Sequence, residues 1–171
     1  KDLGIEEAAQ MLDPTLLFTG EEWAEYTSNK FADKKYVVTY NLHHDSRIDQ
    51  YAARVARENG LKVYNISYNL HDIIRKGTLK WCPAVEEYLG LIRDAQYVVT
   101  DSFHATVFSI LFKKKFVVIY PEKANSRIKS ILELLQITDR GSANMPQIEQ
   151  IMSEIDYERV DLILDKERYK A

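Results

Sequence analysis

Residues able to move protons or hold an anion crowd into one short stretch, Thr100-Asp101-Ser102-Phe103-His104-Ala105-Thr106. A neutral imidazole accepts and donates a proton near physiological pH, so His104 offers general acid–base chemistry. Asp101 and Ser102 carry the short oxygen-bearing side chains that cap a helix by accepting its first backbone N–H groups. The stretch runs from an apolar strand, Tyr97–Thr100, into a helix that begins around His104. The free N–H groups and the positive dipole end of such a helix favour an anion. Asp101, Ser102, His104 and Thr106 therefore form one candidate cluster. A plainer arrangement also fits these residues, in which Ser102 or Asp101 is only a cap and His104 fills a groove.

Two further groups lie at the same type of position, just after a strand. Asn125-Ser126-Arg127 follows the run Phe116–Tyr120 and a loop containing Pro121. If that strand neighbours Tyr97–Thr100, Arg127 shares an edge with His104. Its guanidinium could there hold a carboxylate or phosphate through two parallel bonds, or simply lie on the surface. Asn41 and His43-His44-Asp45 follow the run Tyr36–Tyr40. Adjacent histidines seldom point at one metal unless a third ligand converges, and none has suitable spacing, so a polar rim of the same cleft is expected rather than a metal site. The lone Cys82 precedes a helix and reads as a buried thiol sooner than a reactive one. Neither glycine-rich phosphate loop is present, which weakens dinucleotide and P-loop nucleotide readings.

The elements that must position these residues are legible as an alternation. Tyr36–Tyr40, Leu61–Ile66, Tyr97–Thr100 and Phe116–Tyr120 read as strands, and the last two are apolar almost throughout, as in a parallel sheet buried on both faces. Helices are expected between them. Ile48–Glu58 carries Ile48, Tyr51, Ala52, Val55 and Ala56 on one stripe and closes at Asn59-Gly60. Pro83–Arg93, His104–Phe112 and Arg127–Leu135 follow the same logic, and the tail Pro146–Ala171 reads as two short helices joined near Asp156. Strands alternating with helices of this length imply βαβ units with right-handed crossovers. Residues 1–30 stand outside the alternation, with a turn at Asp13-Pro14-Thr15 and a helix start at Gly20-Glu21-Glu22-Trp23.

The 171 residues suffice for one sizeable core plus a short appendage, and 46% hydrophobic with 29% charged residues is ordinary for a globular chain. A net charge of −3 gives no support for binding nucleic acid. One cysteine excludes an intrachain disulfide and fits a reducing, cytoplasmic compartment. No apolar run approaches the roughly 18 residues of a transmembrane segment. The chain opens on Lys1-Asp2-Leu3-Gly4, which reads as one domain of a larger protein.

Several segments together resemble the carboxy-terminal half of the polysaccharide pyruvyl transferase family. They are Asp13-Pro14-Thr15-Leu16-Leu17 with Glu22-Trp23; the helix from Pro83-Ala84-Val85-Glu86-Glu87-Tyr88-Leu89 to Gly90-Leu91-Ile92; Thr100-Asp101-Ser102-Phe103-His104-Ala105-Thr106-Val107-Phe108-Ser109; and Asn125-Ser126-Arg127-Ile128, leading to Asp139-Arg140. The resemblance implies an α/β fold: a Rossmann-like parallel sheet with helices on both faces, forming one half of a two-domain enzyme of the B glycosyltransferase type. Residues 31–171 would be that half, and residues 1–30 the end of the amino-terminal half with the crossing linker.

The resemblance also implies a reaction, transfer of pyruvyl from phosphoenolpyruvate to sugar hydroxyls as a ketal, without a cofactor or metal. The acceptor would be a saccharide or lipid-linked oligosaccharide at the inner face of the membrane. The missing amino-terminal domain would be a further partner, and the isolated domain would be inactive. His104 takes the family's acid role. Asp101, Ser102, Thr106, Asn125, Ser126, Arg127, Asn41, His43 and Glu86 are the candidate substrate contacts. Family members often carry an arginine two residues before the histidine, and another after the first strand; this chain has Ser102 and Tyr40-Asn41-Leu42-His43 there. The donor is then held by Arg127, His43 and backbone amides, or it is a different donor. A nucleotide-sugar glycosyltransferase, with Glu86 and Tyr68 near the base and ribose, and a non-catalytic module are the competing readings.

Overall fold

A computed structural model describes residues 11–69, 72, 74–123 and 125–170. Six strands form one parallel sheet: β1 (Tyr36–Tyr40), β2 (Lys62–Ser67), β3 (Thr78–Trp81), β4 (Tyr97–Thr100), β5 (Lys115–Ile119) and β6 (Gly141–Ser142), in the order β3-β2-β1-β4-β5-β6. The four strands legible in the sequence are present, and two edge strands, β3 and β6, join them. The helices are α1 (Gly20–Ala24), α2 (Ser46–Asn59), α3 (Val85–Arg93), α4 (Phe103–Leu111), α5 (Ser126–Leu134), α6 (Ile148–Met152) and α7 (Tyr157–Arg168).

Alternation along the strands sorts the core into two layers. Val37, Val99, Val117 and Ile119 pack with Ile48, Tyr51, Ala52 and Val55 of α2 and Ile151 of α6. Val38, Val98, Phe116 and Val118 point the other way, to Leu89 and Ile92 of α3, Val107 and Ile110 of α4, Ile128 and Leu132 of α5 and Val160 of α7. Helices thus cover both faces, which explains why β4 and β5 are apolar almost throughout. Tyr36 stacks on Tyr64 with ring centroids 4.5 Å apart and donates its hydroxyl to the Leu91 carbonyl at 2.9 Å. Burial raises that phenol far above its ordinary range.

The amino-terminal segment packs onto the α3–α4 face. Asp13 caps a 3-10 turn at Pro14–Leu16, and Thr19 with Glu22 forms a capping box on α1. Leu16 is buried and Trp23 packs edge-on against Phe108 at 5.2 Å. A glycine permits this close approach: a Cβ on Gly90, inside α3, would sit 2.4 Å from the Ser28 carbonyl oxygen. Alanine at a helix-interior glycine ordinarily stabilises by about 0.5–1 kcal/mol. Gly90→Ala should instead destabilise, by about 1–3 kcal/mol, as overpacking does. Chemical denaturation decides it, and a gain in stability would mean that the Ser28 segment does not rest on α3.

Candidate functional site

In an open α/β sheet the crevice lies outside the carboxyl ends of the strands, where the strand order reverses. Here that point falls between β1 and β4, whose partners run in opposite directions across the sheet. The rim on the β1 side is residues 41–45. Asn41 closes this loop on itself, its Oδ1 accepting the Asp45 N–H at 2.9 Å and its Nδ2 donating to the Asp45 carbonyl at 2.9 Å. Asp45 caps α2 and binds Arg47, whose Nη1 reaches the Ala143 carbonyl at 2.5 Å. Hydrogen bonds from Arg47 hold the Asp45 carboxyl below its ordinary range. Asn41 is 4% exposed and spends both polar atoms on the loop, so it shapes the rim.

Asp101 does not cap α4. Ser102 does, accepting the Ala105 N–H at 3.4 Å, while Asp101 turns across the switch point to the β1 loop. Its Oδ1 accepts the Leu42 N–H at 2.7 Å and its Oδ2 accepts the His43 N–H at 2.9 Å. His43 Nδ1 lies 2.8 Å from Oδ2. A carboxylate can take several donors at once, and here all come from the same tight loop. Thr100 adds a bond from its hydroxyl to the Tyr40 carbonyl at 2.5 Å. Thr106 is fully buried and donates its hydroxyl to the Ser102 carbonyl at 2.8 Å, bracing the first turn of α4 from within.

His104, exposed in that first turn, lines a cleft of about 360 Å³ with Ser102. Leu42, Tyr40, Tyr68 and Tyr88 form much of its wall. Tyr40 meets Tyr68 and Tyr88 edge-on at 6.2 and 5.6 Å. The Tyr88 hydroxyl is buried without a hydrogen-bond partner among the described residues, and burial pushes it well above the usual phenol range. Sequence reasoning missed this aromatic wall except for Tyr68; a tyrosine closing β1 beside the predicted rim was the signal available.

Arg127 stands on the far side of Phe103. Its guanidinium lies 3.9 Å over that ring, and Nη2 pairs with Asp13 Oδ2 at 2.6 Å. The His104 ring meets the same Phe103 edge-on at 5.5 Å. Burial works to raise the Asp13 carboxyl, but hydrogen bonds from Thr15, with His104 and Arg127 nearby, hold it below its ordinary value. Arg127 and Ser126 line a cleft of about 460 Å³ with Asp13 and Phe103. Asn125 donates to the Pro121 carbonyl at 3.0 Å and joins His43, Lys123 and Lys129 around a third hollow of about 790 Å³. Glu86 is exposed on α3 and lines none of these three clefts; its carbonyl accepts the Ser28 N–H at 2.8 Å.

The structure thus brings Asp101, Ser102, His104, Asn41 and His43 to one edge, with Arg127 across Phe103 and Asn125 beside His43. Cys82, expected as a buried thiol, is exposed, because the chain leaves the edge strand β3 there with a left-handed φ of 44°. Among the described residues no three His, Cys, Asp or Glu side chains gather at metal-binding distance.

A parallel sheet in this order, with its candidate side chains at the reversal point, defines a Rossmann-like α/β domain. A model of the family described as polysaccharide pyruvyl transferase matches residues 1–123, and the chain belongs to that family. No curated protein matches the chain. None of the described helices is long and apolar enough to cross a membrane.

Proposed function

We propose that this domain binds phosphoenolpyruvate at the β1/β4 edge and supplies His104 as the acid for pyruvyl transfer to a saccharide. One observation carries this reading: the exposed His104 stands in the first turn of α4, at the switch point, in a chain of the pyruvyl transferase family. Phosphoenolpyruvate is an enol phosphate, so ketal formation begins with a proton delivered to its methylene carbon, C3. An imidazole at this place can give that proton while the first N–H groups of α4 hold the anion, and the Arg127 guanidinium joins them by exchanging Asp13 for the donor. Ser102, Ser126 and Asn125 complete the polar edge. The tyrosine wall offers flat apolar faces for the ring of the acceptor. The protein is then one half of a two-domain enzyme of the B glycosyltransferase type, with the acceptor side completed by the other half.

Amide shifts of the isotopically labelled chain, titrated separately with phosphoenolpyruvate and UDP, test the donor. Phosphoenolpyruvate should move Ser102–Thr106 and Asn125–Arg127, with UDP leaving them in place. Preferential shifts with UDP would select a nucleotide-sugar glycosyltransferase instead. Silence with both ligands, repeated on the full-length protein, would remove the donor site from this domain.

A further inference from the structure

Resting on the phosphoenolpyruvate reading, we propose that His43 is a second catalytic residue, a proton acceptor for the attacking hydroxyl, and that Asp101 is its positioning residue. The chemistry calls for more than one proton movement. A diol loses two protons on becoming a ketal; one equivalent goes to C3 and the other leaves with the phosphate. His104 donates to C3 as the first hydroxyl oxygen bonds to C2, and that hydroxyl's proton recharges it. The C2–O bond to phosphate then breaks, its electron pair leaving on the phosphate. The second hydroxyl oxygen bonds to C2, and His43 takes its proton and passes it to the departing phosphate. Atoms and charge balance, and no co-reactant is needed.

The geometry is that of an oriented base. The Asp101 side chain is 1% exposed, whereas that of His43 is 48% exposed. With Nδ1–H donated to the carboxylate, the Nε2 lone pair is the free one. The same carboxylate stabilises the imidazolium formed when Nε2 takes a proton, as in an aspartate–histidine–nucleophile relay. A structural staple does not require this arrangement. The two backbone N–H groups of Leu42 and His43 already tie the loop to Asp101. The imidazole adds a third bond and leaves its other nitrogen available. Around the His43 hollow stand Lys123, Lys129, Glu122 and the Asp45–Arg47 pair; the two lysines form no ion pair among the described residues, Lys129 lying 5.2 Å over the Tyr120 ring, and can draw the departing phosphate toward the imidazole.

His43 and His104 also flank one point of the chain. Asp101, which holds the first, is three residues before the second. The carbon receiving the proton, C3 of the donor, and the acceptor oxygen losing one both end up bonded to C2, so acid and base must act on the same centre from adjacent elements. Asp101 joins the β1 loop to the residues that open α4, which sets the two histidines on adjacent elements at the same edge of the sheet.

The test is His43→Asn in the full-length protein. An asparagine amide can still donate to Asp101, which keeps the loop tied, but it cannot accept a proton at neutral pH. Phosphate release is followed from phosphoenolpyruvate with methyl hexopyranosides that offer 3,4- and 4,6-diols. His43→Asn should lower kcat by about 100-fold or more and erase the acidic limb of the kcat–pH profile. Its phosphoenolpyruvate affinity should stay within about fivefold and its melting temperature should hold; His43→Gln should behave alike. A kcat within threefold of the parent, with an unchanged pH profile, overturns the role of His43 alone. No phosphate release by the unsubstituted protein with any of these diols overturns the donor reading, and this assignment with it.

Discussion

His104→Ala in the full-length protein should reduce pyruvyl transfer by about 10²- to 10⁴-fold, the usual contribution of a positioned general acid. Stability should barely change. The side chain is exposed, and its ring rests edge-on against Phe103 instead of filling a core position. The first turn of α4 is held by other atoms, through the Ser102 cap and the Thr106 hydroxyl. Loss of rate without loss of fold is therefore the expected signature, read as kcat beside a thermal melt. On the proposed donor reading, phosphoenolpyruvate binding should fall much less than the rate, because the proposed anion contacts, Arg127 and the α4 amides, remain. An undiminished rate would leave this domain as a non-catalytic module within the family.

The largest effect on stability is expected far from that edge, at Arg140. It follows α5 in the 3-10 turn Thr138–Arg140 and is only 2% exposed. Its Nη1 donates to the Gln150 carbonyl at 2.6 Å and the Ser153 carbonyl at 3.3 Å. Its Nη2 reaches the Ser153 hydroxyl at 2.5 Å and pairs with Asp139 at 2.6 Å. One guanidinium thus ties α6 to the β5–β6 edge. Arg140→Ala removes several charge-assisted bonds to the half-buried Gln150 and the exposed Ser153, a loss of about 3–5 kcal/mol at about 1.5–3 kcal/mol for each hydrogen bond to a charged group. That is a large fraction of the roughly 5–15 kcal/mol by which a domain of this kind is stable. Arg140→Lys should recover little, since an ammonium cannot reproduce the planar fork. Urea unfolding followed by circular dichroism measures both variants; a loss below about 1 kcal/mol for alanine would show that α6 is held by its apolar face alone.

Sequence legibility followed how local each interaction is. β4 and β5 could be read directly because burial on both faces forces apolar residues at nearly every position, Thr100 and Lys115 at their ends excepted. β3, Thr78-Leu79-Lys80-Trp81, is a half-exposed edge strand without that constraint, and β6 is two residues long. Both exist because the strand beside them presents unpaired backbone groups, a property of the neighbour. The candidate site divides in the same way. Ser102 and His104 were placed by the strand-to-helix junction that contains them. Asp101 looked like a local cap, yet its partners lie 58 and 59 residues earlier. Arg127 meets Asp13 across 114 residues, a pairing that no spacing rule anticipates. Cys82 was misjudged because apolar character was weighed without the turn in which β3 ends.

The bond from Leu42 to Asp101 has a further meaning for the order in which this molecule assembles. It closes a loop of 59 residues that contains α2, β2, β3, α3 and β4. Closing so long a loop is entropically unfavourable until the intervening elements have docked. The rim that carries His43 therefore acquires its shape only when the two halves of the sheet have met. An unfinished chain leaving the ribosome with β1 and β2 complete would have the residues of the β1 loop but not the carboxylate that fixes them, and the edge would take its geometry only with the native state.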